Sequence, residues 1–371
     1  MAVSKRKIRA VEMVAKGLVR ESSDSGFLVR SEKDESKWYR VEWKHNRWVC
    51  ECEDFRRRGR TCKHIYAVMY WQLVQNAVSG CEMLKYPACP ECGRFDEVVK
   101  CGMRYNKSGP VQRYQCKRCG VKFTDRSGFH GMKNSARVVA AALDLYFKGL
   151  SLRQISQHLK HAFGVEVSHV TVRNWVKKYV MLVDSFLSDL KLPTSERWHA
   201  DETVVKVEDR HMLIWTLIDS ETRMIIATNV SKYRGVEEAL NLLKKGREIV
   251  HSPPDEIVTD GLKSYRKAVE ELFEGRDIIH VQSSLRKGLN NKIERLFRDL
   301  KIRSKISGFR SEEGVEIFAD GYRIHHNFLR AHQSLNNKTP AQAAGLIEDE
   351  LSWLDLIRLA SRKTGREDSK G

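Results

Sequence analysis

The chain has 371 residues and a formal charge of +18 at pH 7, from 66 Lys and Arg against 48 Asp and Glu. With 41% hydrophobic and 31% charged residues it has the make-up of a folded, soluble chain of about two or three domains, which excludes disorder throughout. Its apolar runs, such as Met212 to Ile218, fall far short of the roughly 18 residues a membrane helix needs, and no apolar segment follows the basic stretch Met1 to Ala10, so neither a membrane span nor secretion is expected.

The charge is unevenly placed. Residues 1–100 carry 20 basic and 14 acidic side chains, residues 101–180 carry 15 and 3, and residues 181–371 carry 31 and 31. The basic middle block, interleaved with Tyr, Phe and Trp, suits phosphate-backbone binding by counterion release, although a solvated Lys-rich face would look the same from charge alone.

In chain order, the first chemistry-bearing segment is Trp48-Val-Cys50-Glu-Cys52-Glu-Asp-Phe55, followed by Cys62-Lys-His64-Ile65, with nine residues between Cys52 and Cys62. Three thiols and one imidazole suit zinc. The Cys-x-Cys and Cys-x-His pairs set both members of each pair on one side of a strand end or helix start, and the apolar run Ile65 to Trp71 predicts a buried helix. The competing reading is plain core packing. From about Lys7 to Val74 the pattern resembles the SWIM zinc domain, a module of nucleic-acid-associated proteins, with Glu53 where that family often has Pro.

Cys89-x2-Cys92 and Cys116-x2-Cys119 come next, with 23 residues between the pairs. Each CxxC turn, continued by a Gly, lets two thiolates point at one tetrahedral ion, and two such knuckles complete a closed four-cysteine zinc site. Val98 to Val99, Gln112 to Gln115 and Val121 to Thr124 read as its short strands, making a zinc ribbon. Cys81 and Cys101 fit neither site and read as ordinary thiols.

Apolar spacing predicts a helix over Ala136 to Lys148, ending at Gly149. Ser151 with Gln154 three residues on is a capping box for a second helix, a turn passes through Gly164, and Ser168 or His169 opens a third. This is a helix-turn-helix. Its last helix would offer Ser168, His169, Thr171, Arg173, Asn174, Lys177 and Lys178 to a major groove, unless the helices form a packing module without DNA.

From Arg197 the grammar changes to Trp198 to Val207, His211 to Ile218 and Arg223 to Val230 as strands, helix Val236 to Lys245, strand Glu256 to Thr259, helix Leu262 to Leu272, strand Ile278 to Gln282 and helix Gly288 to Arg303. The order βββαβαβα indicates a mixed sheet with helices on its faces. Asp201 falls in the first strand, Asp260 at the exit of the fourth, and Glu294 in the last helix with Arg298 and Lys301 on its face. Nine basic and two acidic residues lie between Arg286 and Arg310, which suits phosphate chemistry. Carboxylates on separate elements can bind two Mg²⁺ ions about 3.5–4 Å apart for an in-line displacement. Taken singly, each acid has a duller reading: Asp201 as an edge-strand polar residue with Glu202 the relevant carboxylate, Asp260 as a turn former, Glu294 as a salt-bridge partner of Arg298.

The strings DET at 201–203, TDG at 259–261, NNKIERLFRDLKIR at 290–303 and YRIHHNFLRAHQSLNNKTPAQAAG at 322–345 resemble the DDE transposases of prokaryotic insertion sequences, over about residues 85–345. That resemblance implies a ribonuclease-H-like core, Asp201, Asp260 and Glu294 as the triad holding two Mg²⁺ or Mn²⁺ ions, and Lys301, with Arg298 beside it, as a DNA contact. The expected fold class is multidomain α+β: a SWIM-like zinc domain (1–80), a zinc ribbon (85–130), a helix-turn-helix (131–185), a catalytic domain with a mixed sheet (195–345) and a helical tail (346–371) whose apolar residues pack on the core or on a second subunit. The expected function is a cytoplasmic, nucleoid-associated transposase with two structural zinc ions, which binds the terminal inverted repeats of its element in double-stranded DNA and, as a homodimer or larger assembly, cleaves and transfers strands. The alternatives are a transposon-derived DNA-binding regulator whose core is no longer used, and a nuclease acting on RNA–DNA hybrids.

Overall fold

The computed structural model describes residues 5–22, 26–32, 34, 36–44, 47–72, 87, 89–92, 97–106, 109–124, 128–129, 132–250, 252–274, 278–283 and 291–367. The chain divides into two compact units, Met1–Cys81 and Glu82–Gly371. Among the described residues no helix is long and apolar enough to cross a membrane. Cys81, Gly93 and residues 284–290, including the predicted start of the Gly288 helix, lie outside the described residues.

The first unit opens with α1 (Lys5–Ala15), followed by an antiparallel meander of β1 (Val19–Ser22), β2 (Gly26–Arg30), β3 (Trp38–Lys44) and β4 (Arg47–Cys50). Then come α2 (Glu53–Arg58) and a helix over residues 63–72 (α3). Cys52 caps α2, its sulfur accepting from the Phe55 N–H at 3.4 Å. The core joins Met13 of α1, Val29 and Val41 of the sheet, and Ile65 and Val68 of α3 to the three cysteines 50, 52 and 62. In so small a unit the cysteines are therefore part of the core.

The second unit begins with the three-stranded sheet of β5 (Val98–Asn106), β6 (Gly109–Cys116) and β7 (Lys122–Thr124). Its hairpin strands are longer than the short ones expected, and Val121 precedes the last strand. Three helices follow: α4 (Ala136–Phe147), α5 (Leu152–Phe163) and α6 (His169–Ser188). The side chains of Ser135, Ser151 and Ser168 cap them in turn, Gln154 completes the capping box of α5, and Gly164 takes φ 63° to end it. Short polar side chains at these positions satisfy N–H groups that the first helical turn leaves without partners.

The main sheet contains β8 (Arg197–Val207), β9 (Arg210–Asp219), β10 (Ile225–Ser231), β11 (Glu256–Thr259) and β12 (Ile279–Gln282), in the order β10-β9-β8-β11-β12. The first three are antiparallel, β11 runs parallel to β8, and β12 parallel to β11. This is the ribonuclease-H-like arrangement that the resemblance implied. Arg223 stands outside β10, in a turn with φ 60°.

On one face α7 (Val236–Ile249) and α8 (Lys263–Leu272) cover Trp198, Ala200, Trp215 and Leu217. Gly246 lets α7 approach closely, since a Cβ there would lie 2.3 Å from the Leu217 side chain. The other face, with Val205, Val207, Met212 and Ile214, packs against Ile293, Leu296, Phe297 and Leu300 of α9 (Asn291–Ser307).

That second core runs on without a break. It takes in α4, α5 and α6, α10 (Glu312–Ile324), and α12 (Trp353–Glu367), which follows a π-turn (His325–Leu329), a 3-10 turn (Gln333–Leu335) and α11 (Pro340–Ala343). Trp353, Leu356, Ile357 and Ala360 of α12 are buried in it. The tail thus packs on its own unit, and helix-turn-helix and sheet share one core. Gly321 of α10 permits this closeness, because a Cβ would fall 2.1 Å from the Phe147 ring.

Candidate functional site

The pleat of β8 sends successive side chains to opposite faces. Ala200 and Glu202 turn toward α7 and α8, with Glu202 paired across the strands to Trp215. Asp201, paired to Thr216, lies on the face that also holds Val205, Val207 and α9. β11 lies parallel to β8 and ends at Thr259, which puts Asp260 beside this pair. One carboxylate oxygen from each of Asp201, Glu202 and Asp260 comes together within 4.8 Å.

The three acids are held differently. Asp260 Oδ1 accepts from the Leu262 N–H at 2.9 Å, the turn that opens α8, and its side chain is 34% exposed. Glu202 is 1% exposed; it accepts from the Tyr265 hydroxyl at 2.9 Å and from the guanidinium of Arg234, whose Nη2 also lies 3.5 Å from Asp260. Each Glu202 oxygen thus already accepts a hydrogen bond, which orients the carboxylate toward Arg234 and Tyr265. Burial pushes the Asp201 carboxyl up to about 7, although it accepts from the Glu202 N–H, and the neighbouring carboxylates of Glu202 and Asp260 push the same way. A half-buried carboxyl crowded by two others is relieved by a cation, so this donor set fits a hard divalent ion bound through oxygen.

Glu294 lies outside that cluster. It occupies the first turn of α9 on the exposed side, and Arg298 and Lys301 are exposed on the same helix. The helix itself is packed on the Asp201 face of the sheet by Ile293, Leu296 and Phe297. Its start is tied down by Lys292, whose Nζ donates to the Ser220 carbonyl at 2.7 Å and contacts Ser220 Oγ at 2.9 Å. Of the expected triad, then, the structure brings Asp201 and Asp260 together and sets the Glu294 helix on their side of the sheet.

The sequence reading passed over Arg234 and Tyr265. Both lie far along the chain from Asp201, and only the fold joins them; the one local signal was Glu202 next to Asp201.

Two further clusters gather sulfur and nitrogen donors. Cys50, Cys52, Cys62 and His64 are all buried, with one ligand atom from each inside 4.8 Å. His64 Nδ1 stands 3.8 Å from Cys50 Sγ and 4.0 Å from Cys62 Sγ, and its ring stacks on Tyr39 with centroids 4.5 Å apart. In the ribbon, Sγ separations are 3.3 Å for Cys89–Cys119, 3.6 Å for Cys92–Cys116 and 4.0 Å for Cys92–Cys119. A tetrahedral zinc with ~2.3 Å bonds to sulfur would set its ligands about 3.8 Å apart. Both clusters fit such an ion, and all eight described cysteines are free of disulfides. Cys101 stands apart from both.

On α6, His169, Arg173, Asn174, Lys177 and Lys178 are exposed and Thr171 is half-buried, while Val172, Trp175, Val176 and Tyr179 face the core. Lys177 is paired with Glu313. The helix thus keeps one polar, basic side open to solvent.

The sheet order is that of the DDE-type core that the resemblance implied. The model of the DDE domain, of the IS240 transposase type, matches residues 195–332, and that of the SWIM zinc finger matches residues 39–70. Residues 195–332 thus form a DDE domain of the insertion-sequence transposase type, the domain of a polynucleotidyl transferase. It is 26% identical over 167 residues to the transposase for insertion sequence-like element IS431mec of Staphylococcus aureus, covering 45% of this chain and 73% of that one. An uncharacterized protein of Methanocaldococcus jannaschii is 29% identical over 184 residues, 50% of this chain and 80% of the other. A protein of insertion element ISM1 from Methanobrevibacter smithii is 23% identical over 207 residues, 50% of this chain and 48% of its own length. Among solved structures, the HTLV-2 integrase catalytic core domain in complex with magnesium (dimeric form) aligns over 42% of this chain and 98% of that chain at 17% identity, with a TM-score of 0.30.

Proposed function

We propose that the protein binds the terminal inverted repeats of its own element in double-stranded DNA, cleaves at the ends and joins the freed 3′-hydroxyls to target DNA. The observation that carries this reading is the convergence of Asp201, midway along β8, with Asp260, at the exit of the neighbouring β11, the Asp201 carboxyl being half-buried and raised to about 7. Asp201, Asp260 and Glu294 serve as the ligands for Mg²⁺ or Mn²⁺; bound there, the ions activate the attacking oxygen and stabilise the leaving one. Glu294 comes from a helix packed on the Asp201 face of the sheet, and in the metal-bound state its carboxylate joins the other two.

Lys301 and Arg298, on the exposed side of the same helix, hold the DNA strand. The basic side of α6, from His169 to Lys178, reads the repeat in the major groove. Cys50, Cys52, Cys62 and His64 hold one zinc ion and Cys89, Cys92, Cys116 and Cys119 another, each reinforcing a module whose core is small. Bringing two element ends together calls for at least two copies of the chain.

The test uses labelled DNA from either flank of the gene, with Mg²⁺ or Mn²⁺, comparing the intact protein with Asp260→Ala. Metal-dependent cleavage and joining that vanish in the variant support the reading. Salt-sensitive binding without products favours the DNA-binding regulator instead, and faster cutting of an RNA–DNA hybrid favours the nuclease.

A further inference from the structure

Next to the three carboxylates, the loop from the end of β10 to the start of α7 carries Tyr233 and Arg234, and both have unusual surroundings. Arg234 is 53% exposed although its guanidinium is anchored from below by Glu202, which is 1% exposed. Such an arginine is held in one geometry while part of its surface stays open. It therefore has less rotamer freedom to lose when it takes a second anion, and its planar fork suits a phosphate.

The backbone here is pinned on both sides. Ser231 Oγ donates to the Tyr233 carbonyl at 2.8 Å while accepting from the buried Trp215 indole at 2.8 Å. Ser264 Oγ donates to the Arg234 carbonyl at 3.3 Å, and the Gly235 N–H donates to the Glu238 side chain at 3.0 Å. Yet Tyr233 is 74% exposed. A fixed main chain that presents a bare aromatic ring one residue from a fixed arginine, at the edge of a carboxylate cluster, matches the stacking platform and cation that single-stranded DNA requires.

We propose that Tyr233 and Arg234 clamp the end of the DNA strand: Arg234 binds a backbone phosphate flanking the one attacked, and Tyr233 stacks on the adjoining base once it leaves the duplex stack. This deepens the transposase reading and rests on it. The arginine has a second electrostatic role. Three carboxylates repel an incoming phosphate, and the guanidinium 3.5 Å from Asp260 offsets part of that repulsion where the strand must pass.

The experiment uses the full chain and element-end DNA carrying 2-aminopurine at single positions around the cleavage site. For the intact protein, a rise in fluorescence is expected at one position beside the cut. Tyr233→Ala should abolish that rise and weaken binding of the pre-cleaved end about 5- to 150-fold, the equivalent of ~1–3 kcal/mol per stacked base. Tyr233→Phe should restore both. A methylphosphonate placed at each phosphate in turn should weaken the intact protein at one site and leave Arg234→Gln little further affected there.

If the intact protein cleaves and Tyr233→Ala matches it in fluorescence and binding, the clamp is overturned while the transposase reading stands. A Tyr233→Ala variant that changes only the sedimentation of the protein overturns it too, in favour of a contact between copies. If the intact protein neither binds nor cleaves the ends, the underlying reading itself fails.

Discussion

Mild acid should loosen the second unit through two buried histidines in the π-turn after α10. His325 and His326 are 2% and 3% exposed. His326 donates its Nε2–H to the Arg223 carbonyl at 2.9 Å, so an added proton must go to Nδ1, which is buried without a partner. Burial, then the His332 ring, lowers His326 to about 3; burial, then Arg303 and Arg330, lowers His325 to about 3. Unfolded, each returns to about 6.5. Between those values the unfolded chain binds more protons than the folded one, so this contribution to stability is complete above pH 6.5 and is lost as pH falls toward 3.

At pH 5 the loss is about 2 kcal/mol for each ring, because 1.5 pH units at 1.36 kcal/mol per unit is ~2. Two rings give ~4 kcal/mol, a large part of a typical 5–15 kcal/mol. Asp201 and Asp320, raised to about 7 and about 6 chiefly by burial, act in the opposite direction, gaining stability as pH falls. The informative quantity is therefore a difference between proteins. Urea unfolding, followed by circular dichroism at pH 8 and pH 5, should show His326→Gln losing ~2 kcal/mol less than the intact protein over that interval. Gln can still donate to Arg223 but does not titrate. Parallel pH dependences in the two proteins would refute the argument.

Three more outcomes are expected. Asn327→Leu should destabilise the second unit by about 2–4 kcal/mol in urea unfolding, since Asn327 meets the Ile225 N–H at 2.9 Å and the Ile225 carbonyl at 2.8 Å and its loss leaves both buried groups unpaired; a cost under about 0.5 kcal/mol would count against that pairing. Removing zinc with a chelator should open residues 39–70 and 89–119 to protease, and an unchanged digestion pattern would argue against metal at either cluster. Duplex binding should weaken steeply with salt, and Arg173→Ala should reduce the slope of log K against log salt by about one; an unaltered slope would remove Arg173 from the phosphate contacts.

How much of this was legible in the sequence follows from the range of each interaction. Caps and knuckles are local: Ser151 with Gln154, Gly164, and the CxxC pairs need only a few residues of chain to do their work, and the structure places them as their spacing predicts. The alternation of β8 was legible for the same reason. What escaped was long-range. Asn327 pairs with the backbone of Ile225 102 positions away, where a bulge interrupts the β10 ladder, and nothing in the string HHNFL announces a partner for a strand. The tail residues Trp353 and Ile357 could be seen to be apolar, but their neighbours on α4 and α6 are fixed only by the fold.

The carboxylates show where the two kinds of information meet. Sequence alone left Asp201 and Glu202 as rivals, because a shift of one residue exchanges their faces. The pairing of Asp201 with Thr216 and of Glu202 with Trp215 sets Asp201 on the side of α9 and Glu202 on the side of α7 and α8. Glu202 is then paired with Arg234 and hydrogen-bonded by the Tyr265 hydroxyl, while Asp201 lies beside Asp260; burial raises both carboxyls. The two acids thereby acquire separate work: Asp201 faces the helix that brings Glu294, and Glu202 anchors an arginine at the rim. Glu202→Gln, which keeps an acceptor for the Tyr265 hydroxyl but drops the charge that holds Arg234, should therefore weaken DNA-end binding more than metal affinity. Asp201→Asn should do the reverse. Metal titration and end binding measured on both variants decide the matter, and equal losses of metal affinity in the two would make Glu202 a ligand after all.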